Sequence, residues 1–269
     1  MSSVLDLDAY LRRIRWRGDA RPTLDTLASL LAAHMAAIPF ENLDVLLGRR
    51  VRIDLDGVQD KLVCARRGGY CFEHATLFAA ALEALGFTPA RHCARVTMIQ
   101  PRTEVPRTHM FLTVPLAQGR FVVDPGFGVL SPRVPVPLAA GTKVRCGAET
   151  HWMQTDGRLW TLHAQVGDAL VAAWVTTLEE EHAVDFEMGN HFTSTYPDSP
   201  FRHRLMLRAL TPDGRISVMN REVTHLRGGI AHERELADRA ELRALIKEHF
   251  GFDLPEVERL RVPSIPEWA

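Results

Sequence analysis

Apolar positions recur at helical spacing through the first third of the chain. Leu7, Tyr10, Leu11 and Ile14 share one face behind the N-cap candidate Asp6. Thr23 caps a second helix whose face is Leu24, Leu27, Leu30, Leu31, His34 and Met35. Pro39, within IPFENL, stops that helix because its ring blocks the next turn. A short third helix, roughly residues 56–66, presents Val58, Leu62 and Val63 and breaks at Gly68-Gly69. A fourth starts near Cys71, carries Phe72, Leu77, Phe78, Ala81, Leu82 and Leu85, and ends with Gly86 just past its C-cap.

From residue 90 onward the period changes to two. ARHCARVTMI (90–99), THMFLTVPL (108–116) and RFVVD (120–124) read as strands rich in β-branched residues. RLWTLHAQV and ALVAAWVTT form a hairpin across Gly167-Asp168, and RLMLRAL and RISVMN flank the turn Thr211-Pro212-Asp213-Gly214. The Pro-dense stretch PRVPVPLAAG (132–141) reads as a surface connection. Asp238, with Glu241 three residues on, opens a closing helix, RAELRALIKEHFG. Helices, then strands, then a mixed tail predict an α+β fold with segregated halves, not an alternating parallel-sheet enzyme.

Composition narrows the class. The 269 residues, 46% hydrophobic and 24% charged, match an ordinary soluble protein able to bury its own core. Thirty-two Lys plus Arg against thirty-three Asp plus Glu leave a net charge of −1, without the basic surplus that nucleic-acid binding draws on. No segment approaches the roughly 20 apolar residues of a membrane span. The N-terminal stretch carries Asp6 and Asp8 and has no unbroken apolar core, so it does not read as an export signal. Cys64, Cys71, Cys93 and Cys146 show no paired spacing, and the expectation is a cytoplasmic protein with free thiols.

The stretch RRGGYCFEHATLF sets one cysteine apart. Two glycines and Cys71 sit where a loop becomes a helix, and glycines let backbone approach closely. In the first helical turn, free N–H groups and the positive end of the helix dipole favour a thiolate and could hold a developing oxyanion. The other three cysteines read as small buried hydrophobes.

A nucleophilic cysteine needs a base, and the base an orienter. Among twelve histidines, His109 begins a strand and Asp124 ends the next, with the apparent turn at PLAQGR midway between them. An antiparallel hairpin then sets the two opposite each other, give or take a residue. A strand-end Asp capping the turn Asp-Pro-Gly is the other reading of Asp124. Together with Cys71 the residues favour a Cys-His-Asp triad. Cys71 and His74, three apart on one helix face, lack the second ligand pair of a structural zinc site, so no metal is expected. Gly-rich phosphate loops are missing as well.

At this point the chain resembles the arylamine N-acetyltransferases. The likeness runs through Tyr10 to Ile14, IPFENL (38–43), RGGYCFE (67–73), THM (108–110), VDPGFG (123–128) and NHFTSTYPDSPF (190–201). It implies a helical bundle carrying the nucleophile (1–88), a β-barrel carrying the histidine and aspartate (89–195) and an α/β lid (196–269). The implied core is similar to that of papain-like and transglutaminase-like cysteine enzymes. By the same likeness Cys71 accepts the acyl group, His109 and Asp124 complete the triad, and Arg67, Glu41 and Arg13 support it. Two departures stand out: Ala75 where the family usually has Asn, and Pro125 where it usually has Val.

The resemblance implies a ping-pong acetyl transfer from acetyl-CoA, as co-substrate, to an arylamine, arylhydrazine or N-hydroxyarylamine, in a monomer or homodimer. Phe40, Phe72, Phe127, Phe192 and Phe201 could wall a flat amine, with Phe72 and Phe192 better read as core. By resemblance Phe127 and the backbone of Gly126 and Gly128 border the acceptor pocket, and Phe201 lies near the coenzyme. A hydrolase using the same triad, peptidase or deamidase, is the alternative; a non-catalytic binding protein of the same fold is a third.

Overall fold

The computed structural model describes residues 4–268. The helices are α1 (Leu7–Ile14), α2 (Leu24–Ala37), then after the two-residue strand β1 (Phe40–Glu41) come α3 (Leu43–Leu46), α4 (Leu55–Val58) and α5 (Cys71–Ala84). Asp6 and Thr23 cap α1 and α2 as expected, accepting from the amides of Ala9 and Thr26 at 2.8 and 3.2 Å. The third predicted helix is α4 continued by a wider, π-helical turn over Gln59–Cys64. Gly86 follows α5 at φ +82°, a conformation glycine adopts without steric cost.

Eight strands follow: β2 (Ala90–Val96), β3 (Arg107–Leu116), β4 (Gly119–Val123), β5 (Val136–Pro137), β6 (Val144–Cys146), β7 (Glu149–Thr155), β8 (Trp160–Val166) and β9 (Ala169–Thr176). They form one antiparallel sheet in the order β5-β4-β3-β2-β9-β8-β7-β6. A bridge between Ala140 and Met153 brings its two ends together into a nearly closed barrel. The predicted surface connection at 132–141 is therefore partly wrong. Val136 is fully buried and pairs with Val122, because a proline is tolerated on a sheet's last strand, where one side needs no donor.

The chain closes with α6 (Ala183–Thr195), α7 (Pro200–His203), β10 (Met206–Thr211), β11 (Gly214–Met219), β12 (Glu222–Arg227), β13 (Ile230–Glu235) and α8 (Arg239–Leu245). Asp238 caps α8 by accepting from Glu241 N at 2.8 Å. The second sheet runs β1-β10-β11-β12-β13, so its first strand comes from IPFENL, far back in the chain. Sequence periodicity could not show a two-residue strand. Asn42 fastens the same join: its amide donates to the carbonyls of Phe201 and Arg204 at 2.9 and 2.7 Å and accepts from Met206 N at 2.9 Å.

Strand β3 is buried on both faces, which explains its continuous apolar run. Met110, Leu112 and Val114 pack into the helical core with Leu27, Leu30 and Phe78. Phe111 points the other way, into the barrel core with Val122, Leu162 and Trp174. A third cluster joins β10–β12 to α8 and the C-terminal turns, and Leu43 is buried in it. Leu43→Ala would leave a cavity there, and we expect a loss of about 2–5 kcal/mol, read as a lower denaturation midpoint in urea.

Candidate active site

Cys71 is the first residue of α5 and is 4% exposed. Three glycines make its position possible. A Cβ on Gly68 would stand 2.1 Å from the Pro39 carbonyl oxygen, and one on Gly126 would stand 2.6 Å from the Cys71 Cα. At Gly69 the obstacle would be the Glu73 carboxylate, at 2.7 Å. That carboxylate accepts from Tyr70 N at 3.0 Å, satisfying a donor just before the helix begins. The Cys71 sulfur lies 3.7 Å from the Thr108 carbonyl oxygen, one residue before His109.

His109 Nε2 donates to Asp124 Oδ2 at 2.8 Å, and Trp174 Nε1 donates to the same oxygen at 3.0 Å. Both triad candidates from the barrel are buried. The register differs from the simple opposition expected. Leu112 pairs with Val123, so the ladder carried one step on sets Asp124 opposite Phe111, two residues from His109. A shift of two keeps side chains on one face, whereas a shift of one would have sent them to opposite faces. The His109 and Phe111 rings lie nearly parallel at 6.3 Å, as that face requires. Phe127 covers the His109 ring at 4.8 Å.

Burial alone would drive the proton off His109. The Asp124 charge and hydrogen bond, and then the hydrogen bond and charge of Cys71, overcome that and push its pKa up to about 10. The ring therefore holds a proton at neutrality, with Nε2 committed to Asp124 and Nδ1 left for the sulfur.

Behind the nucleophile lies a buried charge cluster. Arg67 reaches Glu41 at 2.6 Å and Asp44 at 2.7 Å; Lys61 reaches Glu73 at 2.7 Å and Asp44 at 2.8 Å. Lys61 also stands 3.7 Å from Glu41. Three carboxylates share two buried cations, with Arg49, already paired to Glu256, 3.7 Å from Asp44, so one carboxylate lacks full compensation. It is Glu73, whose pKa burial pushes up to about 7 against the pull of Lys61, with Glu41 adding to the rise. Lys61 is held charged well above its ordinary range: burial opposes this, and Glu41, Glu73 and Asp44 outweigh it. Arg13, read with Arg67 and Glu41 as support for the triad, lies outside this cluster and donates to the carbonyls of Leu62 and Arg66, each at 3.0 Å. Lys61, Asp44 and Glu73 were not singled out from the sequence, since charges so scattered along the chain carry no pattern.

Comparison with known proteins settles the kinship of this arrangement. The model of the N-acetyltransferase family matches residues 23–259. The arylamine N-acetyltransferase of Escherichia coli K12 is 35% identical over 254 residues, covering 94% of this chain and 90% of that protein. The arylamine N-acetyltransferase / N-hydroxyarylamine O-acetyltransferase of Salmonella typhimurium LT2 is 33% identical, with coverage of 94% and 90%. The structure of Mycobacterium marinum arylamine N-acetyltransferase in complex with CoA superposes with a TM-score of 0.89 at 35% identity, covering 94% of each chain. The chain belongs to the arylamine N-acetyltransferase family.

Within this arylamine N-acetyltransferase fold the other expected site residues fall in two groups. Phe40, Phe201 and Tyr70 form one aromatic cluster, with centroids 6.4 Å apart for Phe40–Phe201 and 5.4 Å for Tyr70–Phe201. Gly128, at φ +86°, packs on the Phe40 ring. Phe40, Pro125 and Gly128 border a cavity of about 20 Å³, which is too small for an aromatic amine in this conformation. Phe72 is core as expected, but Phe192 is half-buried and stacks on Tyr196 at 4.3 Å, one helical turn away. Arg208, missed in the sequence, is buried under the loop and donates to the Gly128 carbonyl. Ala75 is fully buried in the helical core. Among the described residues, no group of three or more His, Cys, Asp or Glu side chains is placed to hold a metal ion, and no helix is long and apolar enough to cross a membrane.

Two outcomes are expected. Gly126→Ala forces backbone apart beside Cys71 and should cost about 1–3 kcal/mol, with slower alkylation of Cys71 by iodoacetamide. The raised His109 pKa gives a stabilisation complete below the unfolded value of about 6.5 and lost as pH rises toward about 10. Between those pH values the thermal unfolding midpoint of the native protein should fall more steeply than that of His109→Gln.

Proposed function

We propose that this chain moves an acetyl group from acetyl-CoA to the nitrogen of an arylamine, arylhydrazine or N-hydroxyarylamine, through a thioester on Cys71. The observation that carries the reading is the placement of Cys71 at a helix N-terminus beside His109, whose Nε2 is held by Asp124 at 2.8 Å.

In the first half-reaction the Cys71 thiolate attacks the thioester carbonyl carbon. Negative charge builds on the carbonyl oxygen, where free N–H groups of the first turn of α5 can stabilise it. The bond between carbon and the CoA sulfur breaks, and the His109 proton goes to the departing thiolate. In the second, the amine nitrogen attacks the acetyl-Cys71 carbon and His109, now neutral, takes the nitrogen's proton. The carbon–sulfur bond breaks and the thiolate–imidazolium pair returns.

Asp124 and Trp174 act on the ring's position: two donors meet one carboxylate oxygen, which fixes the carboxylate and, through it, the imidazole. The aromatic surfaces of Phe127, Phe40 and Phe201, with the Gly126–Gly128 backbone, are assigned to the acceptor and the coenzyme's acyl end. Their tight packing keeps water from the acetyl-enzyme, which favours amine over hydrolysis. Arg67 and Glu41 support the loop that presents Cys71.

Intact-mass spectrometry after mixing with acetyl-CoA tests the scheme. One acetyl group should appear on Cys71, vanish when an arylamine is added, and never form on Cys71→Ser. Loss of the adduct to water at the same rate with and without amine would point to a hydrolase, and no adduct at all would end the proposal.

A further inference from the structure

Beneath the nucleophile runs a buried hydrogen-bond chain that the reaction scheme does not use. Tyr10 Oη lies 3.0 Å from His34 Nδ1, and His34 Nε2 lies 2.9 Å from His74 Nδ1. His74 Nε2 then meets two carbonyl oxygens, Pro39 at 3.2 Å and Gly69 at 3.1 Å. Tyr10 and His34 have no measurable exposure and His74 has 1%.

The end of the chain fixes its direction. Carbonyl oxygens only accept, so His74 Nε2 must carry a proton. Burial keeps both rings neutral, lowering the His74 pKa to about 4 and that of His34 well below its usual value. A neutral His74 protonated on Nε2 accepts on Nδ1, so His34 donates from its own Nε2. His34 Nδ1 is then an acceptor and Tyr10 the first donor. Every link has one allowed orientation.

The two carbonyls at its end belong to the join that sets Cys71 in place. Gly69 N donates to Pro39 O at 3.2 Å, and Glu41 N donates to Gly69 O at 2.9 Å. His74 thus supplies a further donor to each carbonyl across the contact between the IPFE and RGG segments. It is also on the helix turn that begins with Cys71, and a Cβ on Gly126 would stand 2.9 Å from its Cβ. Glu73, on the same turn, accepts from Tyr70 N, whereas the hydrogen bonds to the Pro39 and Gly69 carbonyls come from His74.

We infer that His74 is a positioning residue for the nucleophile: its Nε2–H, oriented by the chain from Tyr10 through His34, clamps the Pro39 and Gly69 carbonyls and so holds the loop from which Cys71 emerges. The inference rests on reading Cys71 as the nucleophile. Its test therefore reads the sulfur directly as well as the transfer reaction.

Three measurements decide it. Long-range ¹H–¹⁵N spectra of the native protein at neutral pH should show His34 and His74 both as neutral Nε2–H tautomers; a proton on Nδ1 of either ring would overturn the inference, whatever the variants do. His74→Phe keeps the ring's bulk without the donor, and alkylation of Cys71 by iodoacetamide, mapped by peptide mass, should slow by roughly tenfold or more. His74→Gln, whose amide nitrogen can occupy the Nε2 position, should restore most of that rate. Equal rates for native protein and His74→Phe, or equal losses in both variants at matched thermal stability, would sink the proposal. If transfer from acetyl-CoA fails in the native protein while these results stand, the proposed reaction is wrong and the clamp is not.

Discussion

The approach of Gly126 to the Cys71 backbone is the contact on which the site depends. One loop from the barrel rests against the first turn of one helix, so closely that a single methyl group would stand 2.6 Å from the Cys71 Cα. Asp124 is two residues before that contact and His109 is on the adjoining strand. The separation of sulfur, imidazole and carboxylate is therefore set by backbone packing rather than by flexible side chains. Such rigidity suits the proposed transfer, in which one sulfur meets first a thioester and then an amine without rearrangement.

Around that contact the protein uses two kinds of polar interior. On the barrel side, His109 is charged because Asp124 compensates it, in a setting of aromatic rings that excludes solvent. On the helical side, His34 and His74 are kept neutral by burial, which for His74 outweighs the pull of its carbonyl partners and of Asp124, and their hydrogen bonds run in one direction. The same residue type thus carries opposite protonation on the two flanks of Cys71. Between them Lys61 and Arg67 share the charges of Glu41, Asp44 and Glu73. Removing either cation would leave buried carboxylates uncompensated, a costlier defect than losing the whole cluster.

The lid is bound into this arrangement from two directions. β1 gives its two residues to the lid sheet, and Asn42 satisfies lid backbone groups with both amide protons and its amide oxygen. Arg208 reaches back from β10 to the Gly128 carbonyl, in the loop that carries Asp124. Movement of the lid sheet would pull on both halves of the site together.

Much of this was legible in the residue order. Caps at Asp6, Thr23 and Asp238, the change from helical to alternating period, and the three triad candidates all rest on local chemistry, which a linear chain displays directly. What is close in space but distant in sequence was not legible. The two-residue strand β1, the burial of Val136, the five-membered charge cluster and the Tyr10–His34–His74 chain have no local signature, since each partner is an ordinary residue in its own segment. Even the His109–Asp124 pairing needed the real register, because a one-residue slip would have parted them while leaving the same sequence. The sequence determined which side chains could do the chemistry; only tertiary packing decided which of twelve histidines became charged, which stayed neutral, and which was spent holding the backbone in place.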